Sequence, residues 1–165
     1  MISVRYSNPG RSESQLDLGL TKRGDYVVRA AVSLARAAGS GEYRKVREVA
    51  GEMNLPLRYT PHILNLLVKA GLAEARAGQK GGYRLLRPSA DISVLEIVEA
   101  GEGSLRPTRC TLRGGPCRWQ QMCAVHPALD EAYESLTAVL RSRSLASILE
   151  VDAQLAAEDS ATVVQ

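Results

Sequence analysis

Residues 46–87 read VREVAGEMNLPLRYTPHILNLLVKAGLAEARAGQKGGYRLLR, and this stretch decides the fold. Its apolar residues follow helical spacing from Val46 to Met53 and again from Arg58 to Ala70, with a turn at Asn54 between them. Pro61 fits only the first turn of the second helix, where its missing N–H costs little. The sequence therefore predicts two short helices joined by a tight turn.

A β-hairpin is predicted directly after these two helices. Residues 72–76 and 83–87 have the composition of strands, and the glycine-rich residues 78–82 form a turn between them. Helix, turn, helix and a glycine-tipped hairpin are the order of a winged helix-turn-helix. We therefore expect a mainly α fold with a two-stranded β wing.

Further helices are predicted on both sides of this unit. Thr21 is a suitable N-cap for a first helix, and Ser93 with Glu96 forms a capping-box pattern for a later one. Pro127 suits the first turn of a long helix that continues to about Arg143. A long helix at the end of a small domain usually packs on another surface, and we expect that surface to be a partner subunit.

Composition divides the chain into five expected parts and bounds its function. These are a disordered leader (1–17), a DNA-binding domain (18–101), a cysteine loop (102–126), a dimerisation helix (127–143), and a short docking segment with a mobile acidic tail (144–165). The net charge is +3, yet no Lys or Arg follows residue 143, so the basic residues all lie before the tail. This distribution favours a polyanion partner.

Without a signal pattern or a long apolar run, a cytoplasmic protein with no membrane contact is expected.

The three cysteines of the chain lie in one loop that contains Gly and Pro. They are Cys110, Cys117 and Cys123, and two residues separate the last from His126. An odd number of cysteines argues against a disulfide framework, and thiolates with imidazole are ligands for zinc and iron–sulfur clusters. The gaps of six and five residues exceed the two to four of a zinc knuckle, which favours a larger cluster. A Cys3His zinc site and three unmodified thiols are the alternatives.

Four stretches resemble, in the same order, the Rrf2 family of winged-helix regulators typified by IscR and NsrR, over about residues 20–150. They are LTKRGDYVVRA (20–30) at the opening helix, LPLRY (55–59) with Ile63-Leu64 at the recognition helix, GGYRL (81–85) at the wing, and the cysteine loop before a long helix. The resemblance implies a homodimer that crosses its C-terminal helices. It also implies operator DNA binding, usually repression, under the control of a two-iron or four-iron cluster.

The resemblance assigns the three cysteines as cluster ligands and leaves two candidates for the fourth. His126 matches the histidine of the IscR-like branch, and Asp25 matches the aspartate that the NsrR-like branch supplies from the partner subunit. Without that role, His126 would be an N-cap and Asp25 a first-turn acid stabilised by the helix dipole. The family's usual gaps are five and five, so this loop is one residue longer.

The expected DNA contacts fall into three groups. Base edges in the major groove would be contacted from the exposed face of the recognition helix, by Arg58, Thr60, His62 and Asn65. The minor groove would be contacted from the wing tip, by Gln79 and Lys80. Phosphates would be contacted by Arg47, Lys22, Arg23 and Arg29. Alone, such a face is equally an ordinary solvated surface. The family often has Glu-Gln where this chain has Pro61 and His62, so an operator sequence does not carry over. Tyr59, Tyr83 and Trp119 are expected to pack in the core or in a pocket.

Two other functions compete with this interpretation. A cluster-free winged-helix regulator would act through thiol switching, zinc or a protein partner. An enzyme would use Cys123 with His126 as nucleophile and base, but no acid orients that pair and no Gly-rich cofactor loop exists. We therefore expect a regulator and not an enzyme.

Overall fold

The computed structural model describes residues 19–105 and 123–162, which form six α-helices and one two-stranded sheet. The elements are α1 (Lys22–Arg36), α2 (Val46–Glu52), α3 (Thr60–Lys69), β1 (Ala73–Arg76), β2 (Gly82–Leu85), α4 (Val94–Glu102), α5 (His126–Ser142) and α6 (Leu145–Thr162). Single 3-10 turns follow α1 and precede α4. This order confirms the predicted winged helix-turn-helix.

The recognition helix α3 begins two residues later than the sequence predicts. Residues 57–59 form a turn, and the N–H groups of Tyr59 and Thr60 donate to the carbonyl of Pro56 at 2.9 and 3.0 Å. Tyr59 is the N-cap and Pro61 lies in the first turn, as its chemistry requires. Arg58 therefore lies in the turn before the helix.

The wing is an antiparallel pair that packs on the segment before α2. Its register runs from Ala73 opposite Leu85 to Arg76 opposite Gly82. Arg44 and Tyr83 exchange two backbone hydrogen bonds of 2.8 and 2.9 Å, which adds an isolated bridge to the outer side of β2. The wing is thereby held against the helix-turn-helix.

An aliphatic core joins α1, α3 and α4. Leu34, Ile63, Leu67 and Ile97 are almost completely buried, and each such side chain contributes about 1.5–3 kcal/mol relative to an exposed one. The core also includes Leu145 at the start of α6, whose N–H donates to the carbonyl of Ile92 at 2.8 Å. The start of the C-terminal helix therefore packs into the same core as α1, α3 and α4.

Helices α1 and α4 pack closely because two glycines face each other. A Cβ on Gly101 would lie 2.9 Å from the Cα of Gly24. At the end of α4, the Glu102 carboxylate accepts hydrogen bonds from the Thr21 N–H at 2.7 Å and its hydroxyl at 2.9 Å. Thr21 also caps α1, as predicted, by accepting from the Gly24 N–H. Glu102 thus ties the start of α1 to the end of α4.

The two C-terminal helices differ from their predicted form in one respect. Helix α5 has the predicted position and no buried residue. Residues from Leu145 to Thr162 form one helix, which is longer than the expected short docking segment. Its start docks as predicted, because Leu145 is buried and Ile148 and Leu149 pack against the core. The mobility of the acidic tail stays a prediction. Among the described residues, no helix is long and apolar enough to cross a bilayer.

Candidate nucleic-acid interface

The N-terminal part of α3 presents polar side chains to solvent. Arg58, His62 and Asn65 are exposed, which confirms their predicted orientation. The prediction for Thr60 is wrong, because this residue is completely buried and its hydroxyl donates to the carbonyl of Pro56 at 3.0 Å. Thr60 closes the turn before α3 and is not on the exposed face.

Two aromatic residues beside this face were not predicted as part of it. Tyr59 is 37% exposed and therefore lies outside the buried core, which was one of its two expected locations. Its ring stacks on that of His62 with centroids 5.1 Å apart. Tyr83 of β2 is half-buried, and its hydroxyl donates to the Asn65 side-chain oxygen at 3.5 Å. The signal for Tyr59 was its position three residues before His62 on a helix start.

The wing tip is exposed and is held by a lysine that sequence reasoning missed. Gln79 and Lys80 lie in the exposed turn between β1 and β2. The Lys45 ammonium donates to the carbonyls of Gly78, at 3.4 Å, and of Gln79. Lys45 precedes α2, so this contact joins the wing tip to the helix-turn-helix.

The other basic residues of the predicted DNA contacts lie on α1 and α2. Arg47 on α2 and Lys22 and Arg23 at the start of α1 are exposed. Arg29 is engaged, because its Nε donates to the Asp25 carboxylate at 2.9 Å. Exposure is what a phosphate contact requires, and the phosphate contacts of these residues stay a prediction.

A charge network around Glu52 links α2 to α1 and to the segment before α2. Its carboxylate accepts hydrogen bonds from the buried Ser33 hydroxyl at 2.6 Å, from Arg36 at 2.9 Å and from Arg44 at 2.7 Å. Burial alone would raise the pKa of Glu52, but these hydrogen bonds and the two arginine charges hold it below its ordinary value. Arg36 also pairs with Asp152 of α6, so one guanidinium connects the helix-turn-helix to the C-terminal helix.

A second network stiffens the wing. The Glu74 carboxylate accepts from the Tyr43 hydroxyl at 2.7 Å and from Arg84 at 2.5 Å, and these contacts lower its pKa. The Arg84 guanidinium also lies 4.6 Å from the Tyr43 ring centroid. The wing arginine Arg84 is therefore committed to internal contacts.

The predicted cluster ligands are only partly within the described residues. Cys110, Cys117 and Trp119 lie outside them. Cys123 is half-buried, and its carbonyl accepts from the His126 N–H at 3.1 Å. His126 is the exposed first residue of α5 and Val125 is the N-cap, so the alternative role of His126 as a cap is wrong.

Asp25 lies in the first turn of α1, as expected, where it pairs with Arg29. In the two described ranges, no three His, Cys, Asp or Glu side chains come together as a metal site.

Comparison with known proteins identifies the family of this chain. The model of the Rrf2 family, described as an iron-dependent transcriptional regulator, matches residues 20–151. The Neisseria meningitidis protein NMA1593, whose name describes an HTH-type transcriptional regulator, is 32% identical over 131 residues, covering 79% of this chain and 87% of that one.

Two solved structures share the fold. The IscR structure from T. potens superposes with a TM-score of 0.64 at 27% identity, covering 82% of this chain and 88% of that one. CymR from B. subtilis, titled a global cysteine regulator, superposes with a TM-score of 0.68 at 21% identity, covering 82% and 98%. The relatives are named transcriptional regulators, which supports the expectation that the chain is not an enzyme. The chain belongs to the Rrf2 family of winged-helix transcriptional regulators.

Proposed function

We propose that this chain binds operator DNA as a homodimer and that an iron–sulfur cluster sets its affinity for that DNA. The observation that carries the DNA-binding part is the exposed N-terminal portion of α3 beside a braced wing. In helix-turn-helix proteins the recognition helix meets base edges in the major groove with its N-terminal residues. Two such helices in a dimer would read half-sites about one helical turn apart.

Individual side chains suit separate parts of this contact. The Arg58 guanidinium is exposed in the turn just before α3 and has the fork that binds guanine bidentately. Gln79 and Lys80 would enter the minor groove or contact its phosphates, and Arg47 would contact the backbone beside the major groove. Phosphate contacts position the protein, whereas Arg58 and His62 would discriminate sequence.

The homodimer is supported by the uncovered apolar stripe of α5. Leu136 is 37% and Val139 is 60% exposed, and the 17-residue helix buries no side chain within one chain. A helix with an apolar face is stable mainly when that face packs on another surface. A second copy of α5 offers the same stripe in return, as a two-fold interface requires.

The cluster is supported by the chemistry of the donors. Cys110, Cys117 and Cys123 would supply three thiolates, and His126 or the partner's equivalent of Asp25 would supply the fourth ligand. When bound, the cluster supplies redox and nitric-oxide reactivity at an iron that lacks a thiolate, since histidine ligation raises the potential. The chain's part is to hold this group at the start of α5, next to the proposed dimer surface.

The second candidate is a cluster-free regulator that acts through thiol switching, zinc or a protein partner. The fold it needs is the same, and it is also that of CymR. The two candidates differ in what the three cysteines hold.

The deciding experiment is to purify the protein without oxygen and to record its visible absorption and circular dichroism, with iron and sulfide assayed on the same sample. We expect a coloured protein with matching iron and sulfide. Colourless protein with one zinc or no metal would refute the cluster and leave the second candidate. Cys117→Ala should lose the colour and remain a folded dimer, because the core formed by residues 19–105 and 123–162 includes no cysteine.

DNA reading is tested by Arg58→Ala. Loss of a bidentate base contact should weaken binding to a selected duplex by about 1–3 kcal/mol and leave binding to random duplex nearly unchanged. Arg47→Ala is the matched control, since the loss of a phosphate contact weakens binding to both duplexes equally. Equal losses for both variants on both duplexes would refute base reading by Arg58.

A further inference from the structure

Three aromatic rings pack in series from α1 to the exposed face of α3. Tyr26 of α1 meets Tyr59 edge to face, with centroids 6.3 Å apart and planes inclined by 66°. Tyr59 in turn stacks on His62, with centroids 5.1 Å apart and planes inclined by 30°. Both geometries are ones in which aromatic rings stabilise each other beyond the area they bury.

The backbone beneath these rings is firmly held. Pro61 fixes its own φ, and the completely buried Thr60 closes the preceding turn through its hydroxyl bond to Pro56. Residues three apart at a helix start share a face, so Tyr59 and His62 are brought together by this local structure. The stack therefore does not depend on a flexible loop.

His62 is exposed, and the described part of the chain offers its ring nitrogens no hydrogen-bond partner. An exposed side chain with free polar atoms normally loses rotamer freedom when it binds a ligand, at a cost in affinity. Stacking on Tyr59 restricts the imidazole before any ligand arrives. The nitrogens remain available to a base edge, since a neutral imidazole has one donor and one acceptor.

We propose that Tyr59 is a positioning residue for sequence recognition: supported from behind by Tyr26, it holds the His62 imidazole in one orientation from which it reads a base edge in the major groove. This inference rests on the proposed operator binding. Its consequence is that Tyr59 and His62 discriminate the same base pair and act as one unit. The side chain of Tyr59 need not touch that base itself.

The test uses a duplex that the full-length protein selects from a random library, a scrambled duplex, and the selected duplex substituted at each base pair in turn. Dissociation constants are measured for the wild type, Tyr59→Leu, His62→Ala and the double variant. We expect each single variant to lose about tenfold discrimination at one shared base pair. The double variant should be no worse than His62→Ala, and binding to the scrambled duplex should change less than about twofold, because only a base contact is lost.

Tyr59→Phe is the matched control, since it keeps the ring and removes the hydroxyl. It should behave as the wild type in every measurement. A loss in Tyr59→Phe as large as in Tyr59→Leu would mean that the hydroxyl contacts DNA directly, and it would overturn the positioning role. Losses of Tyr59→Leu and His62→Ala that multiply in the double variant would overturn it as well.

A measurement without DNA keeps the inference testable if Tyr59→Leu does not fold. NMR of the free protein should show the ring protons of His62 shifted upfield by the Tyr59 ring current, in the wild type and in Tyr59→Phe alike. Unshifted His62 protons in the wild type would overturn the inference. If the wild type selects no duplex at all, the proposed operator binding is refuted. The inference about Tyr59 then fails as well, and the failure lies in DNA binding and not in the Tyr59–His62 stack.

Discussion

Replacing Gly82 with alanine should detach the wing from the helix-turn-helix. Gly82 has φ +146°, and an added Cβ would lie 2.4 Å from the carbonyl oxygen and 2.8 Å from the carbonyl carbon of Arg44. These are backbone atoms, so no side-chain rotation relieves the overlap. The two hydrogen bonds between Arg44 and Tyr83 lie at the same place, and they are the contacts that must open.

The expected loss in unfolding free energy is the sum of two contributions. Forcing a non-glycine residue into this backbone region costs about 1–3 kcal/mol, and losing the two backbone hydrogen bonds costs about 0.5–1.5 kcal/mol each. Gly78→Ala is the matched control, because Gly78 has φ +100° with nothing within 4 Å of an added Cβ. Gly78→Ala has only the backbone cost and keeps the two hydrogen bonds. The unfolding free energy of Gly82→Ala should therefore be lower than that of Gly78→Ala by about 1–3 kcal/mol.

The assay is urea unfolding followed by far-ultraviolet circular dichroism, together with native-state hydrogen exchange. The amides of Arg44 and Tyr83 should lose protection in Gly82→Ala and keep it in Gly78→Ala, because only the first substitution opens their mutual bridge. Affinity for duplex DNA should fall more in Gly82→Ala, since the wing tip moves with the wing. Equal unfolding midpoints and unchanged protection at Tyr83 would refute the reasoning.

Three further predictions concern other parts of the molecule. The pKa of Glu52 is lowered in the folded protein, so its carboxylate stabilises the fold above about pH 4.5 and this stabilisation is lost as the pH falls. Glu52→Gln should therefore lower the unfolding free energy by about 1–2 kcal/mol at pH 7 and by less at pH 3. Lys45→Met should weaken DNA binding without adding to the effect of Lys80→Ala, because Lys45 holds the wing tip; full additivity in a double-mutant cycle would contradict this. Leu136→Glu should shift a dimer to monomer in sedimentation, whereas Ala138→Glu, on the opposite face of α5, should not.

The elements of the DNA-binding domain were predictable because their signals are local. Pro61 marks the first turn of α3, and Thr21 and Ser93 cap α1 and α4 as their side chains predict. The glycine turn between the two wing strands is equally a property of a few consecutive residues. Each of these follows from backbone chemistry within one helical turn or one hairpin.

The structure differs from these expectations at contacts that the spacing of apolar and polar residues does not report. Thr60 is polar and was predicted to face outward, but the turn at Pro56 rotates its hydroxyl inward. The segment that starts at Leu145 is predicted to be short, yet it is one continuous helix that begins in the core and whose Asp152 pairs with Arg36. Neither contact leaves a mark in the spacing of neighbouring residues.

The winged helix-turn-helix, the family and the clustering of three cysteines beside a long helix are all readable from the amino-acid sequence, because periodicity, proline and glycine act over a few residues. The exposure and the contacts of the polar side chains in the recognition region follow from the three-dimensional packing. It buried Thr60, stacked His62 on Tyr59 and Tyr59 against Tyr26, and turned Lys45 from solvent to the wing carbonyls. The physical reason is that the orientation of a side chain depends on the neighbours against which it packs. For Thr60 and His62 these neighbours are the adjoining turn residues Pro56 and Tyr59, and for Tyr59 and Lys45 they also come from elements elsewhere in the chain.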